Sequence, residues 1–136
     1  MPETGWVRYT PHALVATVVF EFMHIADEFA GNWAPFTPIL EPTVAAISMG
    51  IFTFFGLWSL WWSLEERPWG YGLAALFGLF FGVAEIWHLV DDANMTLFRW
   101  TVVLLAQTFA AVVVVLGAKG LWRHEPWRSD TVGQNG

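Results

Sequence analysis

Two eight-residue segments carry the same arrangement of acids and histidine. The first reads Glu21-Phe22-Met23-His24-Ile25-Ala26-Asp27-Glu28, the second Glu85-Ile86-Trp87-His88-Leu89-Val90-Asp91-Asp92. On a helix, positions i, i+3 and i+7 fall within about 60° on one face. Glu21, His24 and Glu28 therefore share one stripe, and Glu85, His88 and Asp92 share another. Asp27 and Asp91 lie at the stripe edges, as ligands or as acceptors for a histidine N–H. Carboxylates and imidazole at this spacing suit a metal ion. The ligand set is hard and oxygen-rich with one imidazole per motif, which fits Fe, Mn or Zn and not Cu(I).

The elements that must position these residues are helices in a membrane. Charged residues make up 13% of the chain, against about 25% in an average soluble domain. Residues 43–64, 68–84 and 100–118 carry no charge, and a bilayer core is crossed by about 20 apolar residues. The pattern predicts an all-α membrane protein with helices at 11–31, 43–64, 69–92 and 98–119. Residues 1–136 form one transmembrane domain, with 123–136 as a polar cytoplasmic tail. The segment between the first two helices holds Pro35, Pro38 and Pro42 and reads as an extended loop. No basic run followed by an apolar core marks a cleavable leader, so helix 1 is expected to act as its own insertion signal.

Helix 1 has the weakest hydropathy, because Glu21 interrupts it. An internal repeat supports it. An offset of 64 residues, Glu21 to Glu85, also lays His24 on His88, Asp27 on Asp91 and Glu28 on Asp92. The same offset lays Gly56-Leu57-Trp58 on Gly120-Leu121-Trp122. This is the mark of a tandem duplication of a helix pair, with units at about 11–64 and 69–122. Two units of two helices share one orientation, so a pseudo-twofold axis along the membrane normal should relate them. Arg8, Arg67, Lys119, Arg123 and Arg128 flank one side and Arg99 the other. The positive-inside rule then puts both termini in the cytoplasm of a prokaryotic plasma membrane. Gly78 and Gly82, with Ala106, Ala110 and Ala111, offer small surfaces for close packing.

Charge sharpens the reading of the motifs. The net charge is −6 from twelve acids and six Lys and Arg. Glu21, Asp27, Glu28, Glu85, Asp91 and Asp92 account for the whole excess. Such carboxylates cost about 2.5–3.5 kcal/mol each inside a membrane, and neither motif contains a Lys or Arg. Protons or a bound cation must neutralise them. Two divalent ions would offset four carboxylates. The absence of cysteine excludes disulfides and thiolate ligands.

Glu21-x-x-His24 and Glu85-x-x-His88 resemble the paired element of carboxylate-bridged di-metal four-helix-bundle proteins. That resemblance implies a bundle with a two-ion site, and chemistry like that of di-iron oxidases. It covers eight residues twice. The chain departs from the pattern in that helices 2 and 4 supply no carboxylate, the extra acids being Glu28 and Asp92.

Three functional classes follow. The first is a membrane-embedded di-metal enzyme: an oxidoreductase activating oxygen against a lipid-soluble, quinone-like substrate, or a hydrolase activating water. The second is a divalent-metal transporter, store or sensor. The third is a structural or proton-conducting subunit whose protonated carboxylates bond histidine. Haem between His24 and His88 is a further reading, opposed by the charge of the neighbouring glutamates. Transport needs a polar route, and 14–20 and 73–84 read as apolar. Expected partners are membrane lipid, a hydrophobic small molecule and further copies of the chain. Nothing in the sequence marks a nucleic-acid surface, a phosphate loop or a serine triad. Gln107, Thr101 and Thr108 suit interhelical hydrogen bonds, and Ser48, Thr53 and Ser59 suit bonds to their own backbone. His12 lies about 18 Å along helix 1 from His24, too far to share a metal. Glu41 reads as a solvated loop acid.

Overall fold

A computed structural model describes residues 5–31, 42–86 and 96–124 of the chain. His88, Asp91, Asp92, Glu41 and the C-terminal tail lie outside the described residues, as does the side chain of Glu28. A short 3₁₀ turn, Val7–Tyr9, leads into α1, Thr10–Gly31. Then come α2, Pro42–Leu64; α3, Pro68–Ala84; and α4, Leu97–Arg123. The described residues are all helical, with no strand.

The prolines explain several of the starts. Pro11 sits in the first turn of α1 and Pro68 opens α3, where the missing N–H would have had no helical partner anyway. Thr96 caps α4, its hydroxyl accepting from the Arg99 N–H at 3.3 Å. Between α2 and α3 the chain reverses within three residues. The Arg67 N–H reaches the Trp62 carbonyl at 2.9 Å and the Glu66 N–H reaches Ser63 at 3.2 Å. This pair of bonds is a Schellman motif, and Glu66 holds its left-handed position with φ 55°.

The helices run up, down, up, down. Asp27 and Phe20 of α1 meet Arg99 and Phe109 of α4, and Phe52 of α2 meets Phe80 and Phe81 of α3. α4 packs against both α1 and α3, whereas α1 and α2 touch less. The halves therefore do not pack alike, although a twofold would make α1–α2 equivalent to α3–α4. The small residues explain why. A Cβ on Gly78 would stand 2.7 Å from the Ala110 carbonyl oxygen, and one on Gly117 would stand 2.6 Å from that of Tyr71. At the offset of 64 their counterparts are Leu14 and Thr53, which cannot let backbones approach so closely. Gly82 makes only ordinary contact, and Ala111 is exposed.

Two helices, α2 from Ala46 and the whole of α4, are long and apolar enough to cross a membrane. α3, Pro68–Ala84, is apolar but spans 17 residues. α1 is long enough, but its acids break the apolar run. Four spans are therefore not established by length and composition.

The polarity of α1 is reversed relative to a water-soluble helix. Thr10, Leu14, Thr17, Glu21 and His24 form its buried stripe, while Val15, Val19, Phe22 and Met23 are exposed. The exposed faces of α2 and α3 are also apolar, with Ile47, Ile51, Phe54, Leu57, Leu76, Leu79 and Phe80 outward. The core between the helices is formed by Leu14, Ala74, Phe77, Phe81, Val113 and Leu116.

Candidate functional site

The first motif sits on the buried stripe of α1. Glu21 is 3% exposed and His24 2%, because the 3.6-residue period that buries Leu14 and Thr17 also carries them inward. The second motif enters from the end of α3, where Glu85 is 4% exposed. His24 Nε2 stands 3.5 Å from Glu85 Oε1. Glu21 Oε1 and Glu85 Oε2 are out of reach of solvent. Three of the eight residues expected at the site are thus brought inside the same end of the bundle.

Two neighbours hold this geometry. The Gln107 amide on α4 donates to the Gly82 carbonyl at 2.8 Å. Gly82 lies one turn before Ile86 and three residues before Glu85, so Gln107 ties α4 to α3 beside the site. Phe20 and Phe109 stack at 5.6 Å with nearly parallel rings, joining α1 to α4.

Asp27 takes a different role from the one expected. Its Oδ2 accepts from Arg99 Nε at 2.6 Å, with both side chains mostly buried. A charge-assisted bond this short is among the stronger contacts available to a carboxylate. The motifs are therefore not without a cationic side chain. Arg99 was read in the sequence only as a flanking charge. The antiparallel order was the available signal, because it sets the first turn of α4 beside the last turns of α1.

Among the described residues, no three His, Cys, Asp or Glu side chains converge closely enough to hold a metal ion. The stripe of Glu85, His88 and Asp92 was expected on one straight helix. The Glu85 N–H keeps the helical bond to the Phe81 carbonyl four residues back at 2.9 Å, and His88 and Asp92 lie outside the described residues.

The remaining polar residues divide. Gln107 bonds between helices, as expected. Thr101 and Thr108 instead bond Leu97 and Leu104 of their own helix. Thr53 bonds its own backbone at Met49, while Ser59 crosses to the Gly70 carbonyl at 3.1 Å. Thr17 lies within the stretch read as apolar, and its hydroxyl is given to the Ala13 carbonyl. A cavity of about 210 Å³ lies between α2 and α3, lined by Phe52, Phe55, Leu73, Leu76, Phe77 and Phe80. None of these side chains ionises, so the cavity is separate from the acidic cluster.

Fold and site together define an all-helical bundle with a buried acid–imidazole contact at one end. Comparison of the chain with family models, curated proteins and solved structures finds no match.

Proposed function

We propose that the chain is a membrane-embedded metal-binding protein that takes a divalent Fe, Mn or Zn ion between α1 and α3. The observation that carries this reading is the joint burial of Glu21, His24 and Glu85 among apolar helices. Two carboxylates in such surroundings call for compensating positive charge, since the effective cost of burying an ion is several kcal/mol. Glu21, His24 and Glu85 offer the hard, mixed oxygen and nitrogen donors that these metals prefer. The ligand set would be completed by Glu28, His88, Asp91 and Asp92, whose side chains lie outside the described residues, and the eight motif residues together suit two ions.

The membrane part of the proposal rests on reversed polarity. A helix that turns Val15, Val19 and Phe22 outward and Glu21 and His24 inward suits lipid, as do the broad apolar faces of α2 and α3. In this reading all four helices cross, and both termini are cytoplasmic in a prokaryotic plasma membrane. The chemistry proposed is that of an oxidoreductase or hydrolase acting on a lipid-soluble substrate, with a metal store or sensor as the non-catalytic form.

The His24–Glu85 contact favours a second reading. A protonated His24 would itself neutralise Glu85, giving a structural or proton-carrying polar core that needs no metal.

Elemental analysis and an absorption spectrum of detergent-purified protein separate the two. The metal reading expects stoichiometric Fe, Mn or Zn that is lost in Glu21→Gln while helix content is kept. A metal-free, folded protein would sink it, and a Soret band would replace it with haem.

A further inference from the structure

We propose that the cleft between α2 and α3 holds the hydrocarbon tail of a single-chain, lipid-soluble substrate whose oxygen-bearing head reaches the cluster of Glu21, His24 and Glu85. The proposal rests on the reading above of that cluster as a membrane-embedded metal site, and it names the class of substrate the site would take.

The cleft is built only of hydrocarbon. Phe52 and Phe55 of α2 face Leu73, Leu76, Phe77 and Phe80 of α3 around about 210 Å³. No side chain there gives or accepts a hydrogen bond, so nothing in the cleft would orient a polar group. Sites for whole small molecules measure about 300–1,000 Å³ and carry a few polar groups. This one is smaller and its side chains offer none, which suits a stretch of one chain and leaves no room for a second. Its rim is open: Leu76 is 64% exposed, Phe80 50% and Phe55 43%. These residues lie on the apolar faces of α2 and α3 that the membrane reading turns to lipid, so a chain would enter sideways from the bilayer.

Position sets the orientation of that chain. At 1.5 Å per residue, the α3 wall from Leu73 to Phe80 covers about 10 Å, and Glu85 stands about 7.5 Å further along the helix axis. The step between them is aromatic. The Phe81 ring lies 5.5 Å from that of Phe52, 4.7 Å from Phe77 and 5.4 Å from Phe80. Its carbonyl accepts the Glu85 N–H at 2.9 Å. A tail lying in the cleft therefore has one end within about one and a half helical turns of the acids. On the proposed topology α3 ends on the outer side. The head would sit at that end and the tail would point to the bilayer centre, which is the direction a lipid of the outer leaflet already has.

The test uses the full chain in phosphatidylcholine vesicles and hexadecan-1-ol carrying a photoactivatable diazirine in the far half of its chain, with labelled residues located by mass spectrometry. Labelling should saturate, fall on the residues lining the cleft and be displaced by plain hexadecan-1-ol. Leu76→Trp, which fills the rim, should weaken binding by about tenfold, the equivalent of about two methylenes left unburied. Phe55→Trp fills the facing wall and should do the same. Melting curves show which variants have folded, and either folded one decides. A second probe with its diazirine beside the hydroxyl should label residues 82–86. Phosphatidylcholine with a diazirine in one chain should label α2 and α3 broadly and without saturation. The proposal is overturned if the far-chain probe labels Ile47, Ile51 and Leu57 as strongly as the cleft, or if a folded filling variant labels like wild type. It is also overturned if the head probe labels the Trp69 end. Phosphatidylcholine that occupies the cleft and is not displaced by hexadecan-1-ol would overturn it too, making the cleft a seat for bilayer lipid. Glu21→Gln, which removes metal on the reading above, should leave tail labelling unchanged. Saturable cleft labelling in wild-type protein that binds no metal would remove the metal reading and leave the tail site standing. Metal-loaded protein without cleft labelling would overturn the tail site alone.

Discussion

His24 of α1 and Glu85 at the end of α3 meet Nε2 to Oε1 at 3.5 Å, both almost wholly buried. Breaking a buried charged contact by removing one partner costs about 3–5 kcal/mol, whereas replacing both with apolar groups of similar size is often neutral. In metal-free protein, Glu85→Leu or His24→Leu alone should therefore lower stability by about 3 kcal/mol. The double variant should lose much less than the sum. Denaturant unfolding in detergent measures the cycle. Additive losses would mean that the two side chains do not interact.

The α3–α4 interface discriminates between two neighbouring glycines. Gly78→Ala would place a methyl 2.7 Å from the Ala110 carbonyl oxygen, which forces the backbones apart at a cost of about 1–3 kcal/mol. Gly82→Ala meets Ala110 at 3.8 Å, an ordinary contact, and should gain up to about 1 kcal/mol of helix propensity. Melting temperatures of the two variants should move in opposite directions.

Glu66 holds φ 55° where the Schellman turn between α2 and α3 normally uses glycine. Relief of the left-handed strain, worth about 1–2 kcal/mol, exceeds the added freedom of the unfolded chain. Glu66→Gly should stabilise by about 1 kcal/mol, and Glu66→Val should destabilise. A thermal scan in which Glu66→Gly melts earlier than wild type would contradict the assignment.

Gln107 donates to the Gly82 carbonyl beside the end of α3. Gln107→Leu leaves that carbonyl without its side-chain donor and should cost about 1–3 kcal/mol. Because the same bond holds the turn that carries Glu85, the variant should also raise hydrogen exchange in the last turn of α3. Unchanged exchange there would limit Gln107 to general packing.

Much of this architecture could be read from residue order. The starts at Pro11 and Pro68, the α2–α3 turn and the small-residue face of α3 were legible because each depends on local chemistry. The burial of Glu21 and His24 followed from their register with Leu14 and Thr17. The Gln107 bond was legible only as an interhelical one, and its acceptor, the Gly82 carbonyl, was not, because the two lie on different helices. Arg99 was missed for a related reason: its partner is set by antiparallel packing, and motif spacing carries no such information. The unequal packing of the halves was visible in principle, since Gly78 and Gly117 lie at the offset of 64 from Leu14 and Thr53.

The inverted stripe on α1 has a consequence for how the chain is made. The helix is synthesised first, yet Asp27 and Phe20 find their partners Arg99 and Phe109 on α4, the last helix. At about 5–20 residues per second, several seconds separate the two. In a bilayer, the newborn α1 would hold Glu21 and His24 against lipid or stay at the interface until α4 arrives. On the membrane reading proposed above, biogenesis would be a two-step docking, in which a poorly inserted α1 is retained by α4.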